Sequence, residues 1–67
     1  MAMLKVIEVL AQSTKSWEDA AQVAVTTASK TVRNIKSIYI ENMEATVSNG
    51  KLEEYRVNAK ISFVLDG

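Results

Sequence analysis

The chain has 67 residues, eight Lys and Arg against eight Asp and Glu, and no cysteine, histidine or proline. At this length a chain buries only about 60% of the surface it exposes when unfolded, and with no disulfide, thiolate or imidazole site to brace it, oligomerisation is the support left. Balanced charge with neither sign in a block argues against a nucleic-acid groove or a polybasic membrane patch, and without His, Cys or a recognisable nucleophile motif no enzyme is expected.

The apolar start MAMLKVIEVL is interrupted by Lys5 and Glu8, short of a signal-peptide core or a membrane span, so the chain reads as soluble and cytoplasmic. Within it, Leu4 to Leu10 is rich in Val and Ile and predicts a first strand. The following QSTKSWED places Ser16 three residues before Asp19, an approximate capping box with Asp for the usual Glu, and predicts a helix from near Trp17. Trp17, Ala20, Ala21, Ala24, Ala28 and Val32 then recur at three- and four-residue spacing. A stripe made mostly of alanine lets the helix lie close against a sheet, with Trp17 adding bulk at one end.

The remainder, NIKSIYIENMEATVSNGKLEEYRVNAKISFVL, carries β-branched and aromatic residues on both sides of Asn49-Gly50, a pair suited to a tight hairpin turn. With that turn, Ser48 faces Lys51, and counting back pairs Ile40 with Ala59, Ile38 with Ile61 and Ser37 with Ser62. The expected architecture is one α+β domain over residues 1–67, ordered β-α-β-β, with a three-stranded antiparallel sheet wrapped over one helix. One helix covers one face. Ser37, Tyr39, Glu41 and Met43 of one long strand and Arg56, Asn58, Lys60 and Ser62 of the other are expected outward, free for solvent, another subunit or a ligand.

This order, with SWEDAAQVAV, SKTVRNI and EEYRVNAKISFVLDG, resembles the dodecins over essentially the whole chain. The resemblance implies a hollow homododecamer of cubic symmetry whose outward sheet faces line contacts and pockets between subunits. In flavin-binding dodecins, paired isoalloxazine rings stack between tryptophans at a two-fold axis, and a glutamine on the last strand bonds the ring edge. Those positions are Ser37 and Arg56 in this sequence. The resemblance therefore implies binding or storage of small molecules, with a pocket for a flavin such as FMN or riboflavin weakened or lost.

The candidate pocket residues are Ser37, Tyr39 and Arg56. Tyr39 either offers a ring to a planar ligand or packs at a subunit contact with its hydroxyl in water. Arg56 either clamps a phosphate or carboxylate through its planar fork, or pairs with Glu41 or Glu44 of another subunit. Two other readings stay open. One is an interaction module that docks a protein. The other is a cation-binding shell of calcium type, for which symmetry would gather Glu41 or Glu44, or else Glu53, Glu54 or Asp66, from several subunits, although no DxDxDG loop is present.

Overall fold

Leu4–Ser13 form β1 in the computed structural model, which describes residues 3–65; Trp17–Ala28 form α1, Ile35–Ser48 form β2 and Lys51–Val64 form β3. The sheet is antiparallel throughout, in the order β1-β3-β2, so the C-terminal strand is central. The α+β order and the three-stranded sheet over one helix match the expectation. β1 runs three residues beyond its apolar stretch, because Ala11, Gln12 and Ser13 stay in unbroken register with Val57, Arg56 and Tyr55. A backbone ladder continues wherever its partner is present, whatever the side chains.

Ser16 caps α1, its Oγ accepting from the Asp19 backbone N–H at 2.9 Å. The reciprocal bond of a capping box is not the one made. The Asp19 carboxylate instead accepts from the Ser13 hydroxyl at 2.6 Å, tying the end of β1 to the first helical turn. Glu18 and Asp19 also place negative charge where the helix dipole favours it. The helix ends at Ala28, before Val32, but Val32 still donates its backbone N–H to the Ala28 carbonyl at 2.8 Å. Asn34 at φ 63° then turns the chain into β2, a backbone position that asparagine tolerates better than most residues.

Ala20 and Ala24 of the helix press on Val57, Ala59 and Ile61 of the central strand, and these five are the buried apolar residues among those described. Asn49 and Gly50 have φ of 54° and 75°, the left-handed pair that a two-residue hairpin requires. Ser48–Lys51, Ile40–Ala59, Ile38–Ile61 and Ser37–Ser62 pair as counted from that turn. Between them the register departs from the count. Glu53 is an extra residue on β3, so Thr46 meets Glu54, and Glu41 is an extra residue on β2, which restores the count at Ile40.

This corrects the expected outward placement of Met43. The bulge at Glu41 inverts the alternation of β2, so Met43 lies opposite Val57 and shares its helix-side face. The last rung of β1 joins Ser13 to Tyr55. Residues 46–54 therefore project beyond the three-stranded body as a two-stranded arm, in a molecule 51 Å long and 20 Å across. Among the described residues no helix is long and apolar enough to cross a membrane.

Candidate functional site

On the face away from α1, the central strand presents Arg56, Asn58, Lys60 and Ser62, and each is flanked by a residue of both neighbouring strands. Antiparallel partners share a face, so the surface is a series of rungs: Gln12–Arg56–Glu44, Leu10–Asn58–Asn42, Glu8–Lys60–Tyr39 and Val6–Ser62–Ser37.

At one end the hydroxyls of Ser37 and Ser62 are hydrogen-bonded to each other. On the next rung Lys60 Nζ lies 3.1 Å from Glu41 Oε1, the carboxylate that the β2 bulge swings beside it. The hydrogen bond to Glu41, and then its negative charge, raise the Lys60 pKa, with a smaller contribution from Glu8. Tyr39 stands beside this pair and is 64% exposed. At the far end Arg56 Nε donates to Gln12 Oε1 at 2.9 Å, and Nη1 lies 3.7 Å from Glu44 Oε1. The ion pair with Glu44 thus forms within one chain. Between the ends, Asn58 Oδ1 is buried with no donor.

Gln12 lies beyond Leu10, where the sequence predicts β1 to end, and inside the β1 that the structure forms. Carrying the alternation two residues further would have put Gln12 on the outward face, next to Arg56.

The three pocket candidates share this face but do not meet within one chain. Arg56 is four residues from Lys60, the partner of Tyr39, and six from Ser62, the partner of Ser37. At about 3.3 Å per residue those separations are about 13 and 20 Å. Two concavities among the described residues lie elsewhere. A groove of about 530 Å³ runs between β1 and α1, lined by Ile7, Val9, Ala11, Val23, Ala28 and Val32 among others, and a hollow of about 310 Å³ lies between Val32 and Phe63.

The outward face does not fit a flavin sandwich. Ser37 has no ring, its hydroxyl is engaged with Ser62, and the Arg56 guanidinium is held between Gln12 and Glu44. Trp17, the sole tryptophan, is on the other side of the sheet. Its indole N–H donates to the Glu44 carbonyl at 2.8 Å, and its ring meets Tyr55 edge-on, with centroids 4.8 Å apart and planes at 74°.

The cation candidates Glu41 and Glu44 each face a basic side chain, Lys60 and Arg56 respectively. Among the described residues no group of three acidic, histidine or cysteine side chains is placed to hold a metal, and Asp66 lies outside those residues. A cation shared by these carboxylates would need donors from more than one copy.

Dodecins are among the solved structures of the same shape. An arginine-to-alanine variant of the Thermus thermophilus protein is 25% identical, with a TM-score of 0.95 over 100% of both chains. Dodecin from Streptomyces coelicolor is 26% identical, with a TM-score of 0.94 over 98% of this chain and 94% of that one. The calcium-chelating immunodominant antigen of Mycobacterium tuberculosis, a calcium dodecin, is 32% identical, with a TM-score of 0.82 over 96% and 91%. No curated protein matches the chain. The family model for dodecin matches residues 3–66, and the chain belongs to the dodecin family.

Proposed function

We propose that the chain works as a hollow homo-oligomer, of twelve copies by analogy with its family, that binds or stores small molecules without catalysing a reaction, and that its flavin site is weakened or lost. The observation carrying the first part is how poorly one copy covers itself. Its radius of gyration is 13.7 Å, against about 11 Å for a compact domain of this length. Its surface is 4949 Å², against roughly 4,200 Å² for a compact monomer of this mass. Three of the five buried apolar residues are alanines, while Leu4, Val6, Leu10, Met43, Val47 and Leu52 are among the large apolar side chains left exposed. Self-association buries such surface, and it supplies the brace that cysteine or a metal gives other small domains.

Arg56 and Ser37 support the second part. Stacking needs an aromatic face on each side of the ring, and the outward face offers Tyr39 alone among the described residues. Tyr39, Ser37 and Arg56 would converge on one ligand only where two copies bring their faces together, and the ligand would then be a small polar or anionic molecule held by hydroxyls and a guanidinium.

Native mass spectrometry tests both parts by reporting subunit count and bound mass together. A complex of twelve chains, with or without small-molecule mass, is the expected result. A monomer or dimer at micromolar concentration would overturn the assembly, and one flavin bound per subunit would overturn the loss of the flavin site.

A calcium-type shell is the second reading, favoured by the 32% identity with the calcium dodecin. Chelation during native mass spectrometry separates the two. Dissociation with loss of bound calcium supports the shell, and unchanged mass removes it.

A further inference from the structure

We infer that Asn49, at the tip of the β2–β3 hairpin, is a site of covalent self-modification: its side-chain amide leaves as ammonia after attack by the Gly50 backbone nitrogen, and a flip of one peptide plane in the turn opens the route. Both residues are exposed. The register pairs Ser48 with Lys51 and leaves Asn49 and Gly50 outside the ladder, so the peptide between them can rotate without breaking a strand pair. Apart from its chain neighbours, nothing lies within 4 Å of the place a Gly50 Cβ would take, so no other part of the chain packs against the tip there.

As the tip stands, φ is 54° at Asn49 and 75° at Gly50, the signs of a type I′ turn. In such a turn ψ of the first central residue is about +30°, which keeps the next nitrogen on the far side of Cα from the side chain. Turning the Asn49–Gly50 peptide over gives a type II′ turn, which also closes a hairpin, with ψ about −120° at the first position and φ about −80° at the second. Glycine accepts either sign of φ, so Gly50 does not resist the change. In the flipped form the Gly50 nitrogen eclipses the Asn49 Cβ, the arrangement that closing a five-membered ring needs.

The step is an acyl transfer with no change of oxidation state. The Gly50 nitrogen bonds to Asn49 Cγ, the Cγ–Nδ2 bond breaks, and ammonia leaves with the proton of the Gly50 N–H. Water then opens the succinimide, giving isoaspartate by attack at the backbone carbonyl and aspartate by attack at Cγ. Isoaspartate adds a methylene to the main chain and a carboxylate to the tip, so the turn between Ser48 and Lys51 loses its two-residue geometry. The other asparagines lack this route. Asn34 is also left-handed, at φ 63°, but the residue after it is the β-branched Ile35, already paired with Phe63. Asn42 and Asn58 pair with each other inside the sheet, and Met43 and Ala59, which follow them, are paired as well.

The test holds the unaltered full chain, in the assembly it forms, in mildly alkaline buffer at physiological temperature and follows each asparagine by peptide mass mapping. Isoaspartate is located with an isoaspartyl carboxyl methyltransferase and a labelled methyl donor. Asn49 is expected to convert at least tenfold faster than Asn34, Asn42 or Asn58, with isoaspartate the larger product. Comparable conversion at any of those three, or none at Asn49, overturns the inference. The flipped turn holds a non-glycine residue in a sparsely populated backbone region, so the folded rate is expected to be about five- to a hundredfold below that of the same chain unfolded in denaturant. Equal rates, or still stronger protection, overturn the flip. Ile61→Val separates the flip from global unfolding, because Ile61 is fully buried under the helix and its truncation lowers the stability of the whole fold. The Asn49 rate in that variant is expected to stay within twofold of the unaltered chain's, and a rate that climbs with the lost stability overturns the route through the turn.

Discussion

Glu53 of β3 and Glu41 of β2 are opposite insertions in one hairpin, and each undoes the register shift of the other. Because a bulge residue is added to a ladder without being paired in it, removing one leaves the flanking pairs able to form. Deletion of Glu53 is expected to keep the Val47–Leu52 and Thr46–Glu54 pairs, and deletion of Glu41 to keep Ile40–Ala59 and Met43–Val57. Cross-strand nuclear Overhauser contacts check this. A one-residue slip of any of these pairs would show that the bulges set the register instead of interrupting it.

Trp17 links the helix start to both long strands, by its hydrogen bond to the Glu44 carbonyl and its edge contact with Tyr55. Trp17→Phe keeps a ring near Tyr55 and loses the indole donor, so it is expected to cost about 1 kcal/mol. Trp17→Ala removes both and, for a half-buried site, is expected to cost about 3 kcal/mol. Denaturant unfolding followed by circular dichroism at fixed protein concentration gives both values, and equal costs would mean that the ring contact contributes nothing.

Lys60 owes its raised pKa first to its hydrogen bond with Glu41 and then to that group's charge. A folded-state pKa above the unfolded one stabilises the fold at pH values below the ordinary lysine range, and that contribution disappears as pH rises through the folded value. Glu41→Gln is expected to lower the Lys60 pKa and to flatten the stability profile in alkaline solution. The effect on stability is small, since the pair is exposed and screened. Titration of the Lys60 side chain by nuclear magnetic resonance measures the shift, and an unchanged midpoint would discard the pairing with Glu41.

The resemblance read from the sequence puts Ser37 and Arg56 at the tryptophan and glutamine positions of flavin-binding dodecins, and the chain can be asked to take that pattern back. Ser37→Trp supplies a ring to each side of a two-fold, while Arg56→Gln frees the position from Glu44. Aromatic pairs contribute about 0.5–1.5 kcal/mol beyond area burial, and about 1.4 kcal/mol is tenfold in affinity. The double variant is expected to bind riboflavin or FMN at least tenfold more tightly than the unaltered chain, with stronger fluorescence quenching. Equal affinity in an intact assembly would mean that other residues build the pocket, with Tyr39 the first to replace.

The order of elements was legible because its signals are local. The Ser16 cap, the alanine stripe, the Asn49-Gly50 turn and the alternation from Tyr55 to Phe63 each act within a few residues, and each is where the fold uses it. The candidates Ser37, Tyr39 and Arg56 were legible as members of one face for the same reason, since alternation alone assigns a face.

What lies between strands was not. A bulge leaves no mark in periodicity when a second one cancels it, so counting from the turn recovered Ile38–Ile61 and missed the inversion that carries Met43 to the helix side. Asp19 could be read as a capping residue, but its carboxylate answers to Ser13, which only the fold brings near. Arg56 could be read as an ion-pair former, but its partners Gln12 and Glu44 come from both neighbouring strands, chosen by the β1-β3-β2 order. The sequence by itself determined the order of the elements, the turn and the two faces of β3, because those follow from the torsions and side-chain spacing of neighbouring residues. Only the tertiary structure decided which outward side chains meet and how far apart the candidates stand, because strand order and compensating bulges are settled by contacts distant in the chain.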